Sequence, residues 1–193
     1  ALSYMEKAGM NPKGLLSFLG ELESEELLPS SQQSEYIRTH PLTQNRIESM
    51  KAGLERSSHT KKILPAEWIE QHKRMKAKLI GFITPEQVSW SYDDRDKSIA
   101  AQYARAIASY RQNNIEQAIE QIDALLDIEK NNPYFLELKA QMLTEFGYVK
   151  KALPYYKKSI DLLNHSPLIR AAYAHTLIET AGQNTGNKKD HNE

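Results

Sequence analysis

The sequence predicts an all-α fold, and three observations carry that expectation. Only two Val (Val88, Val149) stand against 18 Ala and 21 Leu, a balance that favours helix formers over β-branched strand formers. Helix start and stop signals built from Pro, Asn and Gly recur along the chain. Beyond residue 98 the pattern also repeats. Ala118 and Ala152 stand 34 apart, as do Pro133 and Pro167, and NNIEQAIEQIDALLDIEKNNP aligns with FGYVKKALPYYKKSIDLLNHSP. A length of 193 residues allows one domain or two small ones with modest cores.

The elements follow in order. Leu2 and Met5 lie on an opening helix that Gly9 stops. Asn11 reads as an N-cap and Pro12 as the first helical residue of a helix whose apolar face is Leu15, Phe18, Leu19 and Leu22. Residues 29–34 form a polar loop. Pro41 can open a helix with Ile47, Met50 and Leu54 on one face, and residues 57–62 make a second polar joint. From Pro65 an amphipathic helix carries Trp68, His72, Met75 and Leu79 at i, i+4, i+7 and i+11. That stripe is the expected packed face, with His72 a satisfied core residue. Thr84-Pro85-Glu86-Gln87 is a capping box that opens a short helix, and residues 91–97 (SYDDRDK) are the best linker candidate.

The 34-residue period from 98 to 181 resembles the tetratricopeptide repeat, two antiparallel helices per unit. Small residues at Ala106, Ala140, Ala118 and Ala152 let the paired helices approach, and Ile122 and Tyr156 fill the gap between them. Asn113-Asn114 and Phe146-Gly147 occupy the turns within the repeats, and Pro154 is expected in the first turn or so of its helix. Two full units and a lone helix (167–180) result. Repeats bury their apolar faces on neighbours, so an array this short needs cover at one end. The helix from Pro65 to Phe82, or another copy of the chain in a homo-oligomer, is expected to supply it. The domain division is then 1–58, 59–97, 98–181, and a disordered tail over 182–193.

Composition excludes several functions. Twenty-five basic and 25 acidic residues balance, which removes the electrostatic footprint of a nucleic-acid binder. With no Cys there is no disulfide framework and no thiol catalysis. No apolar run approaches the ~18 residues of a membrane span. None of the six His is followed by Glu and no two lie three or four apart, so the HExxH zinc motif is not in this chain. The metal-ligand set and the cofactors read from the sequence are therefore none.

The segment Thr39-His40-Pro41-Leu42-Thr43-Gln44-Asn45-Arg46-Ile47 resembles the THPxxxxRI segment of the zinc metallopeptidase family that contains the CAAX prenyl proteases and HtpX. Within that family it is similar to the BepA-like enzymes with C-terminal tetratricopeptide repeats. The context agrees, since Ala8-Gly9-Met10-Asn11-Pro12 resembles the turn that precedes the segment in that family, and repeats follow. The resemblance implies that residues 1–58 are the last helices of a metallopeptidase domain whose HExxH lies upstream of Ala1. It implies zinc in the full-length parent and a periplasmic or envelope location with a role in protein quality control. It also places His40 and Arg46 beside the catalytic cleft. The alternative is a stand-alone repeat adaptor capped by an unrelated helical segment.

In the repeats the concave face is the candidate binding surface, for a protein, a peptide or the parent's own protease domain. Its residues are Tyr103, Ile107, Tyr110 and Arg111 in the first unit, Tyr134 and Gln141 in the second, and His175 in the third. A structural alternative is that Tyr103 and Tyr110 pack the seam between repeats. The chain by itself is expected to be inactive. Metal analysis and a casein assay on the 193-residue protein check this, with no stoichiometric zinc and no turnover as the expected result.

Overall fold

A computed structural model describes residues 2–27, 29, 31–32, 44–57 and 63–186. Among the described residues the regular structure is ten α-helices and one 3₁₀ turn, with no strand. The fold is all-α. The chain divides into two compact units, residues 1–69 and 70–193, taken separately here.

The first unit contains α1 (Leu2–Lys7), α2 (Lys13–Glu26) and α3 (Gln44–Arg56). Gly9 ends α1 at φ 63°, a left-handed conformation that costs a residue without a Cβ nothing. Around it the Gly9 N–H donates to the Glu6 carbonyl at 2.9 Å and the Met10 N–H to the Met5 carbonyl at 2.8 Å, satisfying the last carbonyls of the helix. Asn11 Oδ1 then accepts the Lys13 N–H at 3.0 Å and opens α2. The acidic run after Leu22 continues α2 to Glu26. In α3, Ile47 is buried with Met50 and Leu54 half-buried, the expected face, and a side chain at Gly53 would collide with Leu2.

The second unit takes in α4 (Ala66–Ile83) from Glu70 onward, the 3₁₀ turn Pro85–Gln87, α5 (Val88–Ser91), α6 (Ile99–Arg111), α7 (Ile115–Ile128), α8 (Pro133–Glu145), α9 (Val149–Leu162) and α10 (Pro167–Gly186). Helix starts at Ile99, Pro133 and Pro167, and at Ile115 and Val149, keep the 34-residue spacing. Asn132 shows why the period is punctuated there. Its Oδ1 accepts the N–H groups of Tyr134 and Phe135 at 3.0 and 3.2 Å, while Pro133 takes the first helical position, where a missing N–H is harmless. Ala106, Ala118, Ala140 and Ala152 are fully buried, and Ile122 and Tyr156 are buried among them. Ser159, also buried, donates from Oγ to the Pro133 carbonyl at 2.8 Å and ties α9 to the start of α8.

Several local expectations are corrected. Thr84 makes no cap to Gln87, and its hydroxyl instead reaches back toward the Ile80 carbonyl at 3.4 Å, so residues 85–87 form a 3₁₀ turn before α5. Residues 91–97 are no loose linker. The Asp93 carboxylate takes two hydrogen bonds from the Arg95 guanidinium, Asp96 accepts the Ser98 N–H at 2.8 Å, and Arg105 of α6 donates to the carbonyls of Asp93 and Asp96. Pro154 lies in the second turn of α9, just past the first, and it removes the donor for the exposed Lys150 carbonyl, which water can satisfy. Helix α10 runs on to Gly186, into the stretch expected as tail, and residues 187–193 lie outside the described residues.

The two turns inside the repeats use the left-handed region at the same place, Asn113 at φ 60° and Gly147 at φ 83°. Gly147→Ala should therefore cost about 1 kcal/mol, while Asn113→Gly should change stability by a few tenths at most. Urea unfolding followed by circular dichroism measures both.

Candidate partner-binding groove

Tyr103, Ile107 and Tyr110 share one side of α6, and Phe135 and Glu137 come near it from different sides of α8. Ring contacts join the two sides: Tyr103 and Phe135 lie 5.1 Å apart and tilted, and Tyr110 meets Phe146 edge-on at 5.7 Å. This face is the expected groove, and α4 occupies it.

Gly81 makes that approach possible. A Cβ there would stand 2.8 Å from the Ile107 Cβ and 3.1 Å from the Ala104 carbonyl oxygen, too close for any residue but glycine. One turn earlier Ala77 is fully buried. Phe82 packs edge-on against Tyr110 at 6.2 Å. Two cations on the same side of α4 reach acidic partners. Arg74 makes a two-pronged bond to Glu129, at 2.7 and 2.8 Å, while also bonding Glu70 at 3.0 Å and standing 5.9 Å from the Phe135 ring. Lys78 lies 3.7 Å from Glu137. The middle of the side of α4 that enters the groove is thus Arg74, Ala77, Lys78 and Gly81, at i, i+3, i+4 and i+7, with Ile80 and Phe82 half-buried against the same core.

This reverses the expected face. Met75, Leu79 and Ile83 (71%) are exposed on the opposite side of α4, Trp68 is exposed as well (52%), and His72 is exposed where a packed core residue was expected. The reason is steric and electrostatic together. A groove walled by three aromatic rings and Ile107 admits only small side chains, and its acids attract the cations flanking them. A weaker helical period, small and cationic, lay opposite the apolar stripe in the same sequence and carries the signal.

The other candidate residues separate accordingly. Tyr103 (3% exposed), Ile107 and Tyr110 are buried and packed by the chain itself. Tyr103 and Tyr110 therefore occupy the seam, the structural alternative of the sequence reading. Among the described residues the Tyr103 hydroxyl finds no hydrogen-bond partner, and burial together with the nearby Glu137 charge pushes its ionisation up. Tyr110 Oη accepts a hydrogen bond from Gln141 Nε2 at 3.1 Å, and that amide also donates to Glu145 at 3.0 Å. Arg111, Tyr134 and His175 are exposed and Gln141 is half-buried. On α10 the groove-side positions Leu168 and Ile178 are 83% and 73% exposed. His40 lies outside the described residues, and so does the Arg46 side chain, although its backbone belongs to α3.

Burial raises the Glu137 carboxyl, an effect Lys78 opposes. The Tyr156 phenol nearby is pushed up to about 12 by burial and by the Glu137 charge. The hydrogen bonds from Arg74 lower the Glu129 carboxyl. Among the described residues no three His, Asp or Glu side chains stand together as a metal-binding set. No helix among them is long and apolar enough to cross a membrane.

No family model matches the chain. Over 185 residues, 92% of its length, it is 22% identical to the β-barrel assembly-enhancing proteases of Escherichia coli strain K12, Shigella flexneri and Escherichia coli O157:H7. The similarity marks a distant relative of that protease. The chain spans 37% of the length of these curated relatives. At 92% of the chain, the aligned stretch takes in residues of both units.

Because Glu129 is lowered in the folded protein, its pair with Arg74 stabilises at pH values above the ordinary carboxylate range and is lost as pH falls through the folded value. A double-mutant cycle of Arg74→Ala and Glu129→Ala should give a coupling of about 1 kcal/mol at pH 7, fading toward zero on acidification and shrinking in high salt. Denaturant unfolding across pH measures it.

Proposed function

We propose that the chain is the repeat-bearing part of a zinc-dependent peptidase and that its repeats recruit protein partners or substrates to that enzyme. The single observation that carries this reading is the reach of the similarity: one alignment to a protease covers 92% of the chain, repeats included. The paired helices at 34-residue spacing support tetratricopeptide repeats, which act by offering a concave face to proteins. In this reading the zinc ligands come from outside these 193 residues, and His40 and Arg46 stand beside the cleft by resemblance. The relative's name speaks of β-barrel assembly, so an envelope location and a client among outer-membrane or envelope proteins follow as part of the proposal.

On this reading partners meet the exposed positions Tyr134, Gln141, Arg111 and His175, together with the apolar groove side of α10. A photo-crosslinking residue placed at Tyr134 or His175 of the natural full-length protein should capture protein partners in its own cells. The same probe at Glu116, exposed on α7, should capture far less. Equal capture at all three positions, or a full-length protein that holds no zinc and cleaves no casein, contradicts the proposal.

A further inference from the structure

The groove already holds a helix, and the contacts of that helix describe what the groove accepts. Four of them are chemically specific. Gly81 enters where only a hydrogen fits, at Ile107 and the Ala104 carbonyl. Ala77 fills the next turn without remaining surface. Arg74 takes the Glu129 carboxylate in two-pronged fashion beside the Phe135 ring, and Lys78 faces Glu137, a carboxylate only 18% exposed. On the opposite side of the same helix Met75, Leu79 and Ile83 remain exposed, and Trp68 is exposed as well. A helix built as a permanent core element would turn those large apolar residues inward, where burial stabilises most. Instead α4 enters on its small side with only Ile80 and Phe82 packed half-buried beside it, and its place is set by two ion pairs, contacts that are directional, salt-sensitive and individually modest.

We propose that α4 is an intrachain ligand of the groove, and that the external partner class is a helix of the same pattern: Arg or Lys at i and i+4 with Ala or Gly at i+3 and i+7. This rests on the reading of the repeat face as a partner site and names the partner for it. The partner competes with α4, so binding displaces α4 and exposes Tyr103, Ile107, Tyr110 and Glu137 to the incoming helix. Acidic Glu129 and Glu137 select the cations, and the aromatic walls exclude bulky residues at the small positions.

The test uses a fluorescein-labelled synthetic peptide of residues 65–84 and the full 193-residue chain. Gly81→Leu in the chain cannot seat α4, so that variant should bind the peptide at least tenfold more tightly than the unaltered chain does. A peptide carrying Arg74→Glu should lose at least tenfold, as should the original peptide in 1 M salt. If Gly81→Leu prevents folding, the paired Arg74→Ser and Lys78→Ser chain, which adds no bulk, carries the same readings. A folded variant that binds the peptide no better than the unaltered chain overturns the proposal, and so does failure of both variants to fold, since α4 is then a fixed part of the core. Peptide binding is independent of zinc, of proteolysis and of cellular partners. A failure here is therefore distinguishable from a failure of the recruitment role.

Discussion

The seating of α4 in the second unit depends on how closely it can approach α6, and Gly81 sets that distance. With a Cβ 2.8 Å from the Ile107 Cβ, even alanine would force the helices apart. Separation would cost more than one contact. Phe82 would leave Tyr110, Ala77 would lose its cover, and the cations at Arg74 and Lys78 would move out of reach of Glu129 and Glu137. Close packing tolerates no gradual loss of this kind, because voids too small for water forfeit dispersion contacts on both sides.

Charge gives this contact its register. A groove of rings and aliphatic walls would accept a small-faced helix at several positions along its length. One bidentate pair to Glu129 at the C-terminal end of α7 and one weaker pair to Glu137 within α8 fix α4 to a single setting. Glu137 has a cost attached, since burial works against its ionised form and Lys78 only partly offsets this. The groove thus contains a carboxylate whose comfort depends on a cation arriving from another helix.

Much of the fold was readable because its signals are local. Asn11, Asn132, Gly9 and Gly147 each act within a turn of their own position, and the 34-residue spacing follows from Pro133, Pro167 and the small residues at Ala118 and Ala152. The face of α4 was not readable in the same way. Hydrophobic periodicity ranks a stripe of Trp68, Met75 and Leu79 above one of Arg74, Ala77, Lys78 and Gly81, and it holds no information about the width of the space the helix must enter. The site suffered for the same reason. Tyr103, Ile107 and Tyr110 share one side of α6 by their spacing, but whether they meet a partner or the chain's own helix is a tertiary fact, decided by residues some 20 to 30 positions away. A charged run such as Asp93 to Lys97 likewise reads as solvated linker until Arg105 is placed beside it.

The central claim is that α4 is seated on the repeats by its small, cationic side. Hydrogen–deuterium exchange of the full chain tests this most directly. Amides from Arg74 to Phe82 should be protected, less strongly than those of α6 to α9, and that protection should fall in 1 M salt while the repeats keep theirs. Exchange of α4 at the rate of an unstructured peptide in low salt, with α6 to α9 protected, would contradict the account.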